Sequence, residues 1–110
     1  MNKKINIIES QLKAYNNRDI DEFVKYYSDD IEFRILDTNE LVFKGMDRLR
    51  EKYIQRFEAV NLHCTIVNRI EIGNKVIDEE EIIGVIDGIY HVVVIYETDD
   101  NFITKMWLVK

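Results

Sequence analysis

Residues 62–98, "LHCTIVNRIEIGNKVIDEEEIIGVIDGIYHVVVIYET", decide the architecture. Apolar and polar residues alternate along this stretch almost without a break, the period-two pattern of half-buried strands. Gly73-Asn74 interrupts the alternation as a two-residue hairpin turn, joining a strand over 62–72 to one over 75–86. Asp87-Gly88 is a stronger signal of the same kind and leads into a strand over 89–99. A turn at Asp100-Asn101 opens the last strand, 102–109. Inside the second strand sits an anomaly: Asp78, Glu79, Glu80 and Glu81 run consecutively between apolar flanks that carry no turn chemistry.

Two-residue turns fix register, so faces can be propagated from strand to strand. The first turn sets Arg69 opposite Asp78 and Val67 opposite Glu80. The second sets Glu80 opposite Ile95, Ile82 opposite Val93, and Gly84 opposite His91. The third sets Ile95 opposite Met106 and Val93 opposite Leu108. One face then carries Val67, Arg69, Asp78, Glu80, His91, Val93 and Met106. The other carries Cys64, Ile66, Glu79, Glu81, Tyr90, Val92, Val94, Tyr96, Trp107 and Val109. The acid run thus divides into two pairs on opposite faces, both apolar at their centres.

Upstream the periodicity is helical. Ile5, Ile8, Leu12 and Tyr15 form one stripe. Asp19, followed by Glu22, resembles a capping box opening a second helix whose buried side is Ile20, Phe23, Val24 and Tyr27. "IEFRIL" and "ELVFK" alternate as a strand pair around "DTN", and a third helix starts near Gly45 with Met46, Leu49, Tyr53, Phe57 and Val60 on one side. Three helices and a long antiparallel meander predict an α+β fold. The helices cover one sheet face, and a second copy of the chain is the simplest cover for the other.

Composition narrows the function. The chain has 110 residues, 46% hydrophobic and 11% aromatic, with a net charge of -6, so a single domain over 1–110 with a genuine core is expected. An acidic chain is a poor partner for nucleic acid or anionic membranes. Cys64 is the sole cysteine and fits a reducing compartment. "MNKKINIIES" has no long apolar run, so neither a signal peptide nor a membrane span is expected and a cytoplasmic location is the default.

The segment "AYNNRDIDEFVKYYSDDIEF", with "FKGMDRLREKYIQRF", "IEIGNKVI" and "NFITKMWL" in that order, resembles the nuclear transport factor 2-like superfamily in its SnoaL-like and ketosteroid isomerase-like branch. The resemblance spans nearly the whole chain. It implies a cone-shaped, cystatin-like fold in which a strongly curved, mainly antiparallel sheet wraps three N-terminal helices around a largely apolar pocket. It also implies homodimers through the outer sheet face, here Tyr90, Val92, Val94, Tyr96, Trp107 and Val109. By parity with the superfamily's limonene epoxide hydrolases, Asp78 and Glu80 point inward and Glu79 and Glu81 outward. The superfamily's reactions do not transfer. The isomerase's general base, tyrosine and second acid fall at Ile35, Gln11 and Val93, and the hydrolase's Asp-Arg-Asp set falls at Ile82, Glu80 and Leu108.

The expected ligand-binding set is therefore Tyr15, Phe33, Arg69, Asp78, Glu80, His91, Val93 and Met106. Asp78 and Glu80 at i and i+2 lie about 6.6 Å apart at their Cα atoms, so each disfavours the other's ionisation. Arg69 holds Asp78 charged and leaves Glu80 as the group whose pKa rises. Three readings remain open: a solvated Arg69–Asp78 pair at the sheet rim with Glu80 reaching water, a polar anchor in a pocket, or an acid–base pair. His63 and His91, both facing Gly84, lack a third ligand, so neither metal nor other cofactor is expected. The expected function is binding of a small apolar or amphipathic molecule. The alternative is an isomerase, cyclase or lyase that uses Glu80, His91 or Asp78 as acid or base, and a third class is a purely structural module with a filled interior.

Overall fold

A computed structural model describes residues 3–110. Helix α1 spans Lys3–Asn16, α2 spans Ile20–Phe23 with a 3-10 turn over Val24–Tyr26, and α3 spans Met46–Arg56. The strands are β1 Tyr27–Ile35, β2 Glu40–Lys44, β3 His63–Ile72, β4 Lys75–Ile83, β5 Tyr90–Thr98 and β6 Ile103–Val109. They form one six-stranded sheet in the order β2-β1-β6-β5-β4-β3. All neighbours pair antiparallel except β1 and β6, which run parallel. The α+β class is as expected. The helices, however, are not all N-terminal, because the β1–β2 hairpin separates α2 from α3.

Local chemistry accounts for the helix limits. The Asp19 carboxylate accepts a hydrogen bond from the Glu22 amide at 3.2 Å, satisfying one free N–H at the start of α2. The second helix is shorter than the stripe predicts, since Tyr27 already begins β1. It remains deeply buried there, so the apolar signal was right and the element wrong. On α1 the buried face is Ile8, Gln11, Ala14 and Tyr15, so the stripe is rotated to include a polar residue. Val60 is 74% exposed, because α3 stops at Arg56, one turn short of it.

Register is where expectation and structure part. The Gly73-Asn74 turn pairs Arg69 with Asp78 as expected. Further along β3 an extra residue, Val67, is bulged out, so that Ile66 and not Val67 faces Glu80. Cys64 is thereby turned inward opposite Ile82, while Thr65 and Val67 are exposed. The β4–β5 connection is not a tight Asp87-Gly88 turn. Strand β4 ends at Ile83, β5 starts at Tyr90, and Glu80 pairs with Val92 instead of Ile95. A three-residue displacement is odd, so every side chain of β5 lies on the face opposite to the expected one. The β5–β6 register is displaced by one residue, with Ile95 opposite Trp107 and Tyr96 opposite Met106. The two odd displacements cancel, and Met106 inward with Trp107 and Val109 outward come out as expected.

Gly84 shows why the connection departs from a simple hairpin. Its φ is +93°, and a Cβ there would lie 2.7 Å from backbone atoms of Asn61 and Leu62. The end of β4 is pressed against the chain entering β3, and only a residue without a side chain fits. The core beneath the sheet is aromatic. Phe23 is 1% exposed, with ring centroids 4.9 Å from Tyr27, 4.7 Å from Tyr53 and 5.4 Å from Phe57.

Candidate functional site

The inward edge of the acid run is a charged triad. Asp78 is 0% exposed, and Arg69 holds it bidentately, Nε to Oδ1 at 2.6 Å and Nη2 to Oδ2 at 2.9 Å. The third arm of the guanidinium reaches Glu9 on α1, which ties the first helix to β3 and β4. Arg69 is pushed further toward its charged form by its bonds to Asp78 and Glu9. The pair is not a solvated rim, and neither residue lines the interior cavity. It stands behind Glu80 as a fixed negative and positive charge.

Glu80 does line that cavity, and it does not reach solvent: it is 5% exposed. Tyr96 donates to Glu80 Oε2 at 3.2 Å, Gln11 Nε2 donates to the Tyr96 oxygen at 3.5 Å, and Tyr27 donates to Gln11 Oε1 at 2.8 Å. The three donors point one way along the chain and end on the carboxyl group. Cys64 lies against the same carboxyl, and burial pushes its thiol well up, so it is an inert neighbour and not a nucleophile. Burial raises the Glu80 pKa to about 7, with the Asp78 charge adding to it and bonds from Tyr96 and Cys64 opposing it.

The cavity measures about 210 Å³ between the helices and the inner sheet face. Its sheet side includes Glu80, Ile82, Val92, Val94 and Tyr96, and β1 and β6 add Phe33 and Met106. Helix α1 contributes Gln11 and Tyr15, and α3 contributes Lys52, Tyr53 and Arg56. Burial raises Tyr15 to about 12, so its hydroxyl stays protonated, and it accepts a bond from Arg56 Nη1 at 3.4 Å.

Of the expected residues, Tyr15, Phe33, Glu80 and Met106 meet at the cavity. His91 and Val93 do not. The β5 inversion puts both on the outer face, where His91 is exposed and pairs with Glu79 at 2.7 Å. His63 stands opposite Ile83 and His91 opposite Glu81, so Gly84 does not bring the two rings together. Among the described residues no group of three His, Cys, Asp or Glu side chains is placed to hold a metal. The same inversion takes Tyr90, Val92, Val94 and Tyr96 off the outer face and into the interior. Sequence reading missed Gln11, Tyr96, Cys64, Lys52 and Arg56. Gln11 carried a signal, a polar residue three positions after Ile8 on the apolar side of α1.

A six-stranded sheet with one parallel pair and helices on its inner face makes this an α+β protein of the cystatin-like fold. The SnoaL-like domain profile matches residues 8–106, and the chain belongs to that family. It is similar in fold to a cystatin-fold protein from Novosphingobium aromaticivorans, with a TM-score of 0.88, 19% identity and full coverage of both chains. An LEH-like epoxide hydrolase from M. tuberculosis superposes with a TM-score of 0.81 at 21% identity, over 97% of this chain and 81% of that one. A nuclear transport factor 2-like protein from Cytophaga hutchinsonii gives 0.82 at 13% identity, over 98% and 89%. At such identities the likeness is one of fold alone. No curated protein matches the sequence. No helix among the described residues is long and apolar enough to cross a membrane.

Proposed function

We propose that this protein binds a small, mostly apolar molecule in the interior cavity, with Glu80 as its polar anchor. The observation that carries the reading is a nearly buried carboxyl group on an apolar cavity wall, met by a one-way chain of donors through Tyr96. A cavity of about 150 Å³ takes a benzene ring, so 210 Å³ suits one ring with a few added atoms. A protonated Glu80 donates to a carbonyl or hydroxyl, and an ionised one accepts from a hydroxyl or amide.

A second reading, acid–base catalysis of an isomerase, cyclase or lyase type, is favoured by one fact: Glu80 titrates near 7, where it can both give and take a proton. Glu80 is then the acid or base, and His91, on the outer face, is not. The reading includes a homodimer through the outer face. Its contact residues are revised to Ile77, Val93, Ile95, Trp107 and Val109, which are half-buried on that side. It also includes a cytoplasmic site of action, supported by the free, buried Cys64 thiol.

Cyclohexanone is a suitable probe, titrated into the protein by NMR. Binding should perturb Met106 and Tyr96 and be lost in Val94→Phe, which fills the cavity. Binding that ignores Val94→Phe would place the site elsewhere and overturn the proposal. Solvent deuterium exchange at the ketone's α-carbon, abolished in Glu80→Gln while binding persists, would select the catalytic reading. Binding without catalysed exchange would select the binder.

A further inference from the structure

We propose that the occupant of the cavity is an anion, a small monocarboxylate with a compact apolar body, its carboxylate held at the cavity mouth by Arg56, Lys52 and the Tyr15 hydroxyl. The inference rests on the ligand-binding reading above, in which Glu80 is the anchor at the closed end, and adds the charge of the ligand and a second hold on it at the mouth. Lys52 and Val42 are exposed while Gln11, Glu80 and Tyr96 are buried, so the opening lies beside α3 and β2 and Glu80 lies at the closed end. Lys52 and Arg56 are one helical turn apart and share a face of α3.

These two cations lack counter-charges. Arg34, Arg48, Arg50 and Arg69 each pair with a carboxylate. Among the described residues no carboxylate oxygen comes within 4.0 Å of Arg56 or Lys52, in a chain that carries six more negative charges than positive ones. Among the described residues the half-buried Arg56 guanidinium has a hydrogen bond to the Tyr15 oxygen at 3.4 Å and lies over the Tyr53 ring with its centroid at 5.9 Å, and neither partner carries a charge. Tyr15 accepts from Arg56, and among the described residues its hydroxyl donates to no protein acceptor, so it is a donor beside a cation. A partly desolvated guanidinium without an anion costs stability, and a ligand carboxylate relieves that cost with a charged hydrogen bond. Glu80 at the closed end repels a second negative charge, which selects a monocarboxylate over a dicarboxylate.

The test compares 3-phenylpropionate with 3-phenylpropionamide, equal in skeleton and different in charge, titrated into the whole chain at pH 7.5. The acid should bind about tenfold tighter or more, the size of one charged hydrogen bond. Arg56→Gln should bring the two affinities together by weakening the acid alone, and Arg56→Lys should restore part of the preference. Lys52→Gln, at an exposed position where folding is not at stake, should also weaken the acid and spare the amide. Equal binding of acid and amide to the wild type would overturn the inference and leave the ligand-binding reading intact. So would an acid preference unchanged in both Arg56→Gln and Lys52→Gln. Binding of neither probe would remove the cavity as a site for such molecules, and this inference with it.

Discussion

Glu80 holds its proton to about pH 7, against an ordinary value of 4.5. Between those values the folded protein keeps a proton that the unfolded chain has released. Stability therefore falls as pH rises through that window, and the loss is complete above it. The full loss is on the order of 3 kcal/mol. Glu80→Gln keeps an oxygen for the Tyr96 hydroxyl but carries no charge. It should raise stability by roughly 2–3 kcal/mol at pH 8 and change it little at pH 4. Glu79→Gln and Glu81→Gln, on the outer face, should stay within about 0.5 kcal/mol at both. Urea unfolding of the three variants at the two pH values checks this, and equal behaviour of all three would show Glu80 to be as solvated as its neighbours. That Asp78 and Glu80 share a face, with Arg69 beside Asp78, could be read in advance, because they lie four to six residues beyond a two-residue turn that fixes register there. The family resemblance supplied the inward direction. Gln11 was legible only in part: its place on the apolar side of α1 marks it, but the partners that satisfy it, Tyr27 and Tyr96, are brought to it only by the folded sheet.

At the level of elements, the link between β4 and β5 decides which residues face the cavity. Asp87-Gly88 is a good hairpin signal, but local turn preference is outweighed here by the packing of Gly84 against Asn61 and Leu62. That contact is tertiary and leaves no periodic trace, so the β5 register, and with it His91 and Val93, could not be derived from local pattern. The bulge at Val67 is invisible for a similar reason, since Ile66 and Val67 are alike in hydropathy and either could take the inward position. Helix and strand existence came through well, because long apolar stripes survive such shifts. Gly84→Ala should cost more than about 3 kcal/mol, adding a backbone clash to a φ that side chains avoid. Gly73→Ala, where a Cβ meets nothing within 4 Å, should cost only about 1 kcal/mol. Denaturant midpoints of the pair measure the difference, and equal losses would show that the close approach at Gly84 carries no energetic weight.

For the molecule as a whole, the outer sheet face carries the proposed self-association. Trp107→Asp places a charge among Val93, Ile95 and Val109 and should convert a dimer to a monomer by light scattering, without disturbing the cavity on the other face. A monomeric wild type would refute the dimer. The parallel pairing of β1 with β6 has a consequence for how the chain acquires its structure. Strand β6 lies at the centre of the sheet, between β1 and β5. Until it docks, the β1–β2 hairpin and the β3–β5 meander are two separate half-sheets, each with a raw edge. Joining them closes a loop of some seventy residues, a contact of very long sequence range that slows assembly. On the ribosome the last strand to emerge is the one that welds the halves together, so nascent chains wait with both edges open, and the vulnerability of this protein to misassembly is concentrated in that interval.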